Sequence, residues 1–533
     1  MKVFNQRSER QIAFLLALVF FLIVCGHSSL KYFVLASNVA DFGFYLNNFK
    51  YIYQEPIRAF QSHVQILLFP YSFVYLVCGP VFGPYIILSL QAFALSISVW
   101  LAFVHLGRII PWCYIIYTPL IMNGLFDFHF DHLAIPILLF FFISVRANEI
   151  NKAGFLAVIL CLIKEPFALQ TFFCGIYIIA HQFLCNRGAL RESVLPAILI
   201  SAFGILYFWV CFNFILGVNG TLVNDGAVPL PNAYSWLGSD IFEIFVNSIT
   251  NFPEVAAVLL SDFGRLKFLL IIFGSFSFLA IFAPTALLVA IPPLAMCLLS
   301  TRPETYSGYN HYTAGLIAPI LFSSWLGLNK ITNVCNHFLN SQYKQDQIKR
   351  FNILINFTCL LVSFAACVAL GPLFLSRLFW SEKVWEMSKE TLFDFERAMQ
   401  IKSLIRSTVF DVEKSGIVIQ NNLNFGAIIG AKNLDLFPGR DYLCSNDFKN
   451  ISNFSVQYRQ ICNSQILRND IKKVFVIVDL NRPLFFRDSG CEFILGTCQN
   501  LIIEKEFQRA IMFYQKNYNT IVQFDNFTIF GSR

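Results

Sequence analysis

Apolar residues fall into long runs along this chain, near positions 12–25, 85–104, 112–126, 133–145, 194–216, 267–300, 314–328 and 351–375. A helix needs roughly 20 apolar residues to cross about 30 Å of hydrocarbon, so the runs predict most spans of a polytopic α-helical membrane protein. No small-residue cleavage site follows the first run, which is expected to remain as the first span. Two further apolar segments are punctuated. Segment 64–82 contains Pro70, Gly79-Pro80 and Gly83-Pro84, which predicts a helix on the outer surface rather than a crossing. Segment 152–185 is interrupted at Lys164-Glu165-Pro166. Pro at the first position of a helix, with an extended residue before it, predicts two short spans meeting there.

From about Phe379 the runs stop. Roughly 150 more polar residues predict a small α/β domain, with strands at 416–420, 474–480, 520–524 and 527–530 and a helix at 502–517. The last two strands close around Asp525-Asn526. The chain thus divides into a membrane domain, 1–378, whose first outer loop with its surface helix is 28–84, and a C-terminal domain, 379–533.

Composition agrees with lipid as the solvent, since 56% of the 533 residues are hydrophobic and only 13% are charged. Lys and Arg in short loops mark the cytoplasmic side. With Lys2, Arg7 and Arg10 inside, Arg108, Arg146/Lys152, Arg187/Arg191 and Lys330/Lys344/Lys349/Arg350 take consistent sides once the punctuated segments are read as above. The outcome is about 11 spans, N-terminus in and C-terminal domain out. The net charge of +7 follows from this loop bias and implies no nucleic-acid partner. Of 15 Cys, Cys444, Cys462, Cys491 and Cys498 lie in the C-terminal domain, where one or two disulfides and reduced core thiols are both open.

In this threading five polar clusters share the outer face, where ionisable groups beside hydrocarbon are costly unless paired or functional. Asp41, in the first outer loop, suits a general base toward a hydroxyl, a ligand for a metal or sugar, or a helix cap. Gln61-Ser62-His63 offers His63 to hold a phosphate, to shuttle a proton, or as a structural hydrogen-bonding group. Asp127-Phe128-His129-Phe130-Asp131-His132 follows the third span. On a helix Asp127 and Asp131 would share a face, and in an extended segment Asp127, His129 and Asp131 would. These types admit a divalent metal, although the spacing is not an established zinc pattern, and substrate binding or acid-base work is the leading expectation. Lys164-Glu165 is either a self-neutralising pair at the helix break or a point charge for a phosphate. In 301–312, Arg302, His311 and Tyr312 suit a pocket for a sugar and a phosphate within an interfacial aromatic belt.

No nucleotide-binding loop, H-E-x-x-H or nucleophile elbow occurs. Asp41-Phe-Gly, His63 before a Pro-bounded helix, Asp127-Phe-His129, Lys164-Glu165 and His311-Tyr312 together resemble a bacterial family of polytopic membrane proteins of unknown function, grouped by similarity with the GT-C glycosyltransferases. Val418 to Leu423, Leu436-Phe-Pro438 and Val476-Ile-Val-Asp479 extend the resemblance into the C-terminal domain. One departure is that the family usually has Pro or a small residue near its histidine motifs, where here Val64 and Phe130 follow His63 and His129.

The resemblance implies a GT-C-like architecture in the bacterial inner membrane. It also implies transfer of a sugar from a polyprenyl-phosphate donor to a lipid, glycan or protein acceptor at the outer face. Asp41 would be the base. Asp127 and His129 would complete its acid-base network, His63, Lys164, Arg302 and His311 would face the carrier phosphate, and Asp131, His132, Glu165 and Tyr312 would support substrate binding. A lipid-linked glycan transporter and a noncatalytic assembly protein are the alternatives, and fold alone does not decide among them.

Overall fold

The computed structural model describes residues 2–35, 37, 39–56, 63–107, 109–185, 187–216, 233–340, 345–372, 395–409, 415–419, 433–436, 473–479, 500–524 and 527–532. Gln61, Ser62, Arg108, Lys344, the four C-terminal cysteines, the 525–526 turn and the boundary near 379 lie outside them.

Six helices among the described residues are long and apolar enough to cross a membrane: Glu9–Phe33, Leu68–His105, Pro166–Cys185, Arg187–Asn213, His311–His337 and Arg350–Leu370. A seventh is reached if Ile241–Thr250 and Phe252–Ser261, bent by 87°, form one span. The expectation of about 11 came from counting apolar runs. Two of those runs are divided in the structure, and two yield helices of 13 and 14 residues, Ala134–Arg146 and Ile150–Ile163. Run 112–126 becomes helices Ile110–Ile115 and Thr118–Leu125, each with Pro in its first turn. Run 267–300 is a series of short helical turns, because Ser277 and Phe278 adopt left-handed backbone. Ser323 Oγ lies within hydrogen-bond reach of two carbonyls of this stretch, that of Ala280 at 3.2 Å and that of Ala283.

The punctuation at 79–84 acts as a kink. Helix Leu68–His105 is broken at Gly79, whose φ of 71° is open to glycine and strained for other residues. A Cβ there would meet nothing within 4 Å. Gly79→Ala is therefore expected to cost about 1–3 kcal/mol through backbone strain alone, visible as a lowered Tm with unchanged oligomeric state in detergent.

The helices bury one face and turn another outward. Helix Ala314–Asn340 is central, with Leu316, Ile317, Ile320, Leu321 and Phe322 fully buried. In contrast, Phe14, Leu22 and Ile23 of the first helix and Ile353, Leu354 and Phe357 of Gln345–Leu370 are largely exposed, as lipid-facing residues are. The 11 described cysteines are free thiols.

The C-terminal part contains a five-stranded mixed sheet, in which four strands fall on the predicted runs and β2 does not. Strands β1 (Ser415–Ile419), β2 (Asn433–Leu436), β3 (Lys473–Asp479), β4 (Tyr518–Phe524) and β5 (Phe527–Ser532) lie in the order β2-β1-β3-β5-β4. The central strand β3 buries Phe475, Val476, Ile477 and Val478 consecutively, the pattern of a strand covered on both faces. The predicted helix is Asn500–Asn517. Before the sheet, helix Phe395–Thr408 joins the membrane part directly: Lys402 Nζ donates to Phe33 O at 2.7 Å, at the end of the first helix.

Candidate functional site

The five clusters meet. One cavity of about 370 Å³ is lined by Asp41, His63, His129, Asp131, Lys164, Arg302, His311 and Tyr312, with Tyr45, Gln65, Gln170 and Tyr234 among the residues between them.

Asp41 sits in a single π turn, Val39–Gly43, between the first helix and helix Phe44–Tyr51. Its neighbour Phe42 is fully buried, with its ring centroid 5.5 Å from that of Tyr32 and 5.9 Å from that of Phe128, which anchors the loop. The Asp41 carboxylate reaches His129 Nε2 at 3.4 Å.

The Asp127 to His132 stretch takes neither of the two regular geometries. Phe126 and His129 have extended backbone, and a 3-10 turn, Phe130–Leu133, begins after them. Phe128 and Phe130 are buried as the anchors between the polar positions. The two carboxylates separate to different lysines. Asp131 faces Lys164 at 3.7 Å in the cavity, whereas Asp127 pairs with Lys31 at 3.2 Å and accepts from Ser37 Oγ at 2.9 Å. Asp127 does not line the cavity, so its expected catalytic contact is replaced by a buried latch onto the first helix. His129 is held from behind, its backbone N–H donating to Gln91 Oε1 at 3.0 Å.

Lys164 and Glu165 are not a self-neutralising pair. Lys164 has φ −169° and ψ 147°, an extended residue between helices Ile150–Ile163 and Pro166–Cys185, as the Pro predicts. Extended neighbours point to opposite sides. Lys164 accordingly turns to Asp131, and the fully buried Glu165 turns to His63 Nδ1 at 2.7 Å and Val64 N at 2.9 Å.

The last cluster enters through two 3-10 turns, Pro303–Tyr306 and His311–Thr313. His311 stacks on His129 with ring centroids 3.6 Å apart and planes within 11°. The Asn123 side-chain amide ties this loop to helix Thr118–Leu125 by donating to Asn310 O and Thr313 Oγ1. Of the tyrosines, Tyr306 lies under the Arg265 guanidinium and Tyr309 donates to Leu370 O, so Tyr312 alone of the three faces the cavity.

Burial would raise the Asp131 carboxyl, but the Lys164 ammonium, helped by His129, His63 and His132, holds it below the usual carboxylate range. Burial opposes ionisation of Glu165 in the same way, and His63 and then Lys164 hold it low. His132 lies behind the cavity, fully buried with neither ring nitrogen hydrogen-bonded, and burial pushes it down to about 3. An unfolded chain protonates this histidine near pH 6.5, so the unfolded state binds the extra proton and stability falls as pH drops from about 6.5 toward 3. His132→Phe is expected to flatten that slope, measured as Tm against pH beside the unmodified protein.

Among the described residues no group of three or more His, Cys, Asp or Glu is placed to hold a metal ion. The acids of the cavity are instead engaged by Lys164 and His129. Asp131 Oδ2, Gln170 Oε1 and His311 Nδ1 are buried without a hydrogen-bond partner and belong to cavity-lining residues. Lys31, Gln91, Tyr45, Gln65 and Gln170 were missed in the sequence reading. For Lys31, Gln91 and Gln170 the available signal was a single Lys or Gln within an otherwise apolar helix, which is costly in lipid without a partner.

These features define a multi-pass helical membrane protein with a polar cavity assembled from its loops and helix breaks. The chain belongs to a family described as predicted membrane protein (DUF2079), whose sequence pattern matches residues 44–407. The match contains every candidate site residue except Asp41, three residues before it, and ends before the sheet. No curated protein matches the chain.

Proposed function

We propose that this protein is a GT-C-type membrane glycosyltransferase. It moves a sugar from a polyprenyl-phosphate donor to a lipid, glycan or protein acceptor at the outer face of the bacterial inner membrane. The observation that carries the reading is the convergence of loops as distant in sequence as Asp41 and Tyr312 on one cavity that pairs a carboxylate with an imidazole and adds two fixed cations.

Inverting transfer needs a base for the acceptor hydroxyl and positive charge for the departing phosphate. Asp41, beside His129, takes the first role. Lys164 and the exposed Arg302, with His63 and His311, take the second. Asp131 and Tyr312 orient sugar hydroxyls. Asp127, His132 and Glu165 act from behind the wall. In this reading the short helices also cross, to give about 11 spans. The N-terminus is cytoplasmic, and the C-terminal domain stands outside with Asp41, a placement supported by the Lys402 contact to Phe33 O.

The test is transfer of label from a panel of polyprenyl-phosphate sugars to acceptors in membranes with and without the protein. Transfer that depends on the protein is expected. No transfer from any donor by correctly inserted protein, or full transfer by both Asp41→Asn and Lys164→Ala, would overturn the assignment.

A further inference from the structure

The most deeply buried carboxylate paired with a cavity residue is Glu165, which faces His63. Glu165 is 0% exposed and His63 34%. Each Glu165 oxygen has its own donor: Oε1 faces His63 Nδ1 at 2.7 Å and Oε2 accepts from Val64 N at 2.9 Å. The carboxylate therefore satisfies two neighbouring residues at once and fixes the imidazole ring by its backbone and by its side chain. With Nδ1–H directed at the carboxylate, Nε2 is the ring nitrogen left for the cavity that His63 lines. A buried carboxylate that sets the tautomer of an imidazole and leaves its other nitrogen to the reacting group is a general solution in acyl transfer.

We infer that Glu165 is a positioning residue that holds His63 in the Nδ1–H tautomer, so that Nε2 exchanges a proton with the phosphate group of the lipid carrier. The phosphate half of this inference rests on the transferase reading above, and the tautomer half does not. In the step, the bond between the sugar anomeric carbon and the phosphate oxygen breaks as the acceptor oxygen bonds to that carbon. The acceptor proton passes to Asp41. The carrier phosphate departs with the bonding electrons and one more negative charge. His63, carrying a proton on both nitrogens in the donor complex, passes its Nε2 proton to that phosphate and is left in the Nδ1–H form. Lys164 and Asp131 face the same space with opposite charges that offset each other, so His63 and Arg302 supply the remaining positive charge.

The geometry makes a sharp demand on Glu165→Gln. Val64 N–H can only donate, so the single amide oxygen of Gln must turn to it. The amide NH2 then faces His63 Nδ1, which must accept, and the ring proton moves to Nε2. The variant keeps the shape of the pair and reverses the tautomer.

The experiment is 15N NMR of the full chain, histidine-labelled and in lipid nanodiscs, with His63→Asn used to assign the signal and farnesyl phosphate as the probe. The unmodified protein is expected to show Nδ1–H, and Glu165→Gln to show Nε2–H. Farnesyl phosphate is expected to shift Nε2 of His63 in the unmodified protein and to lose that effect in Glu165→Gln, with sugar transfer reduced about 10²-fold or more. With the ring neutral, an Nε2–H tautomer in the unmodified protein overturns the inference even if the variant does not fold, and so does an unchanged tautomer in Glu165→Gln. Failure of farnesyl phosphate to move Nε2 overturns the phosphate role. None of the spectra requires sugar transfer, so a failure here is distinguishable from a failure of the transferase reading.

Discussion

Asp41→Asn is expected to lower sugar transfer by about 10²- to 10⁴-fold, the usual contribution of a positioned general base. The substitution conserves shape and leaves an oxygen that can still face His129 Nε2, now 3.4 Å from the carboxylate. It removes only the basicity. Because the buried Phe42 anchors the loop, Tm should change little. The loss should appear in kcat with the donor KM within a few-fold, the signature of an interaction realised in the transition state. Initial rates in proteoliposomes decide it, and a variant that keeps its rate would move the base elsewhere.

Lys31→Met should destabilise the fold more than any change within the cavity. Lys31 and Asp127 are 1% and 3% exposed and lie 3.2 Å apart. Removing one partner of such a pair leaves a buried charge without its counter-ion, at a cost of about 3–5 kcal/mol. Adding Asp127→Leu should recover most of the loss, because a buried ion pair and a well-packed apolar pair are often close in stability. Recovery should stop short of completeness, since Ser37 Oγ then loses its acceptor, worth about 1 kcal/mol. Thermal unfolding of the single and double variants in detergent measures both effects. A single variant within about 1 kcal/mol of the unmodified protein would mean that the pair does not hold the first helix.

Much of this organisation was legible in the residues. The break at Lys164 follows from Pro166, whereas the Gly-Pro pairs at 79–84, which suggested a separate surface helix over 64–82, mark a kink within the single helix Leu68–His105. Four strands of the sheet followed from short β-branched runs and fall within a few residues of those runs, whereas β2, whose Asn-Leu-Asp-Leu sequence has no β-branched residue, was not among them. Convergence of the clusters was legible in coarser form, as a shared face inferred from the sidedness of Lys and Arg. The pairing of charges was not. Sequence adjacency suggested Lys164 with Glu165, but an extended residue sends neighbours apart, and the actual partners Asp131 and His63 come from other segments. Lys31 was passed over because its acid lies 127 residues into the chain. The run at 267–300 read as continuous because nothing in apolar periodicity reports the left-handed Ser277 and Phe278.

The distant pairing of charges has a consequence for how the chain enters the bilayer. Lys31 is synthesised long before Asp127, and His63 before Glu165. An unpartnered charge carried into a membrane segment is costly, so Lys31, in the last turn of the first helix, stays at the interface until Asp127 emerges. Biogenesis of this protein should therefore pass through a stage at which the first helix is only loosely lodged, and nascent chains arrested before Asp127 should be easier to extract from the membrane by alkali or urea than those arrested after it.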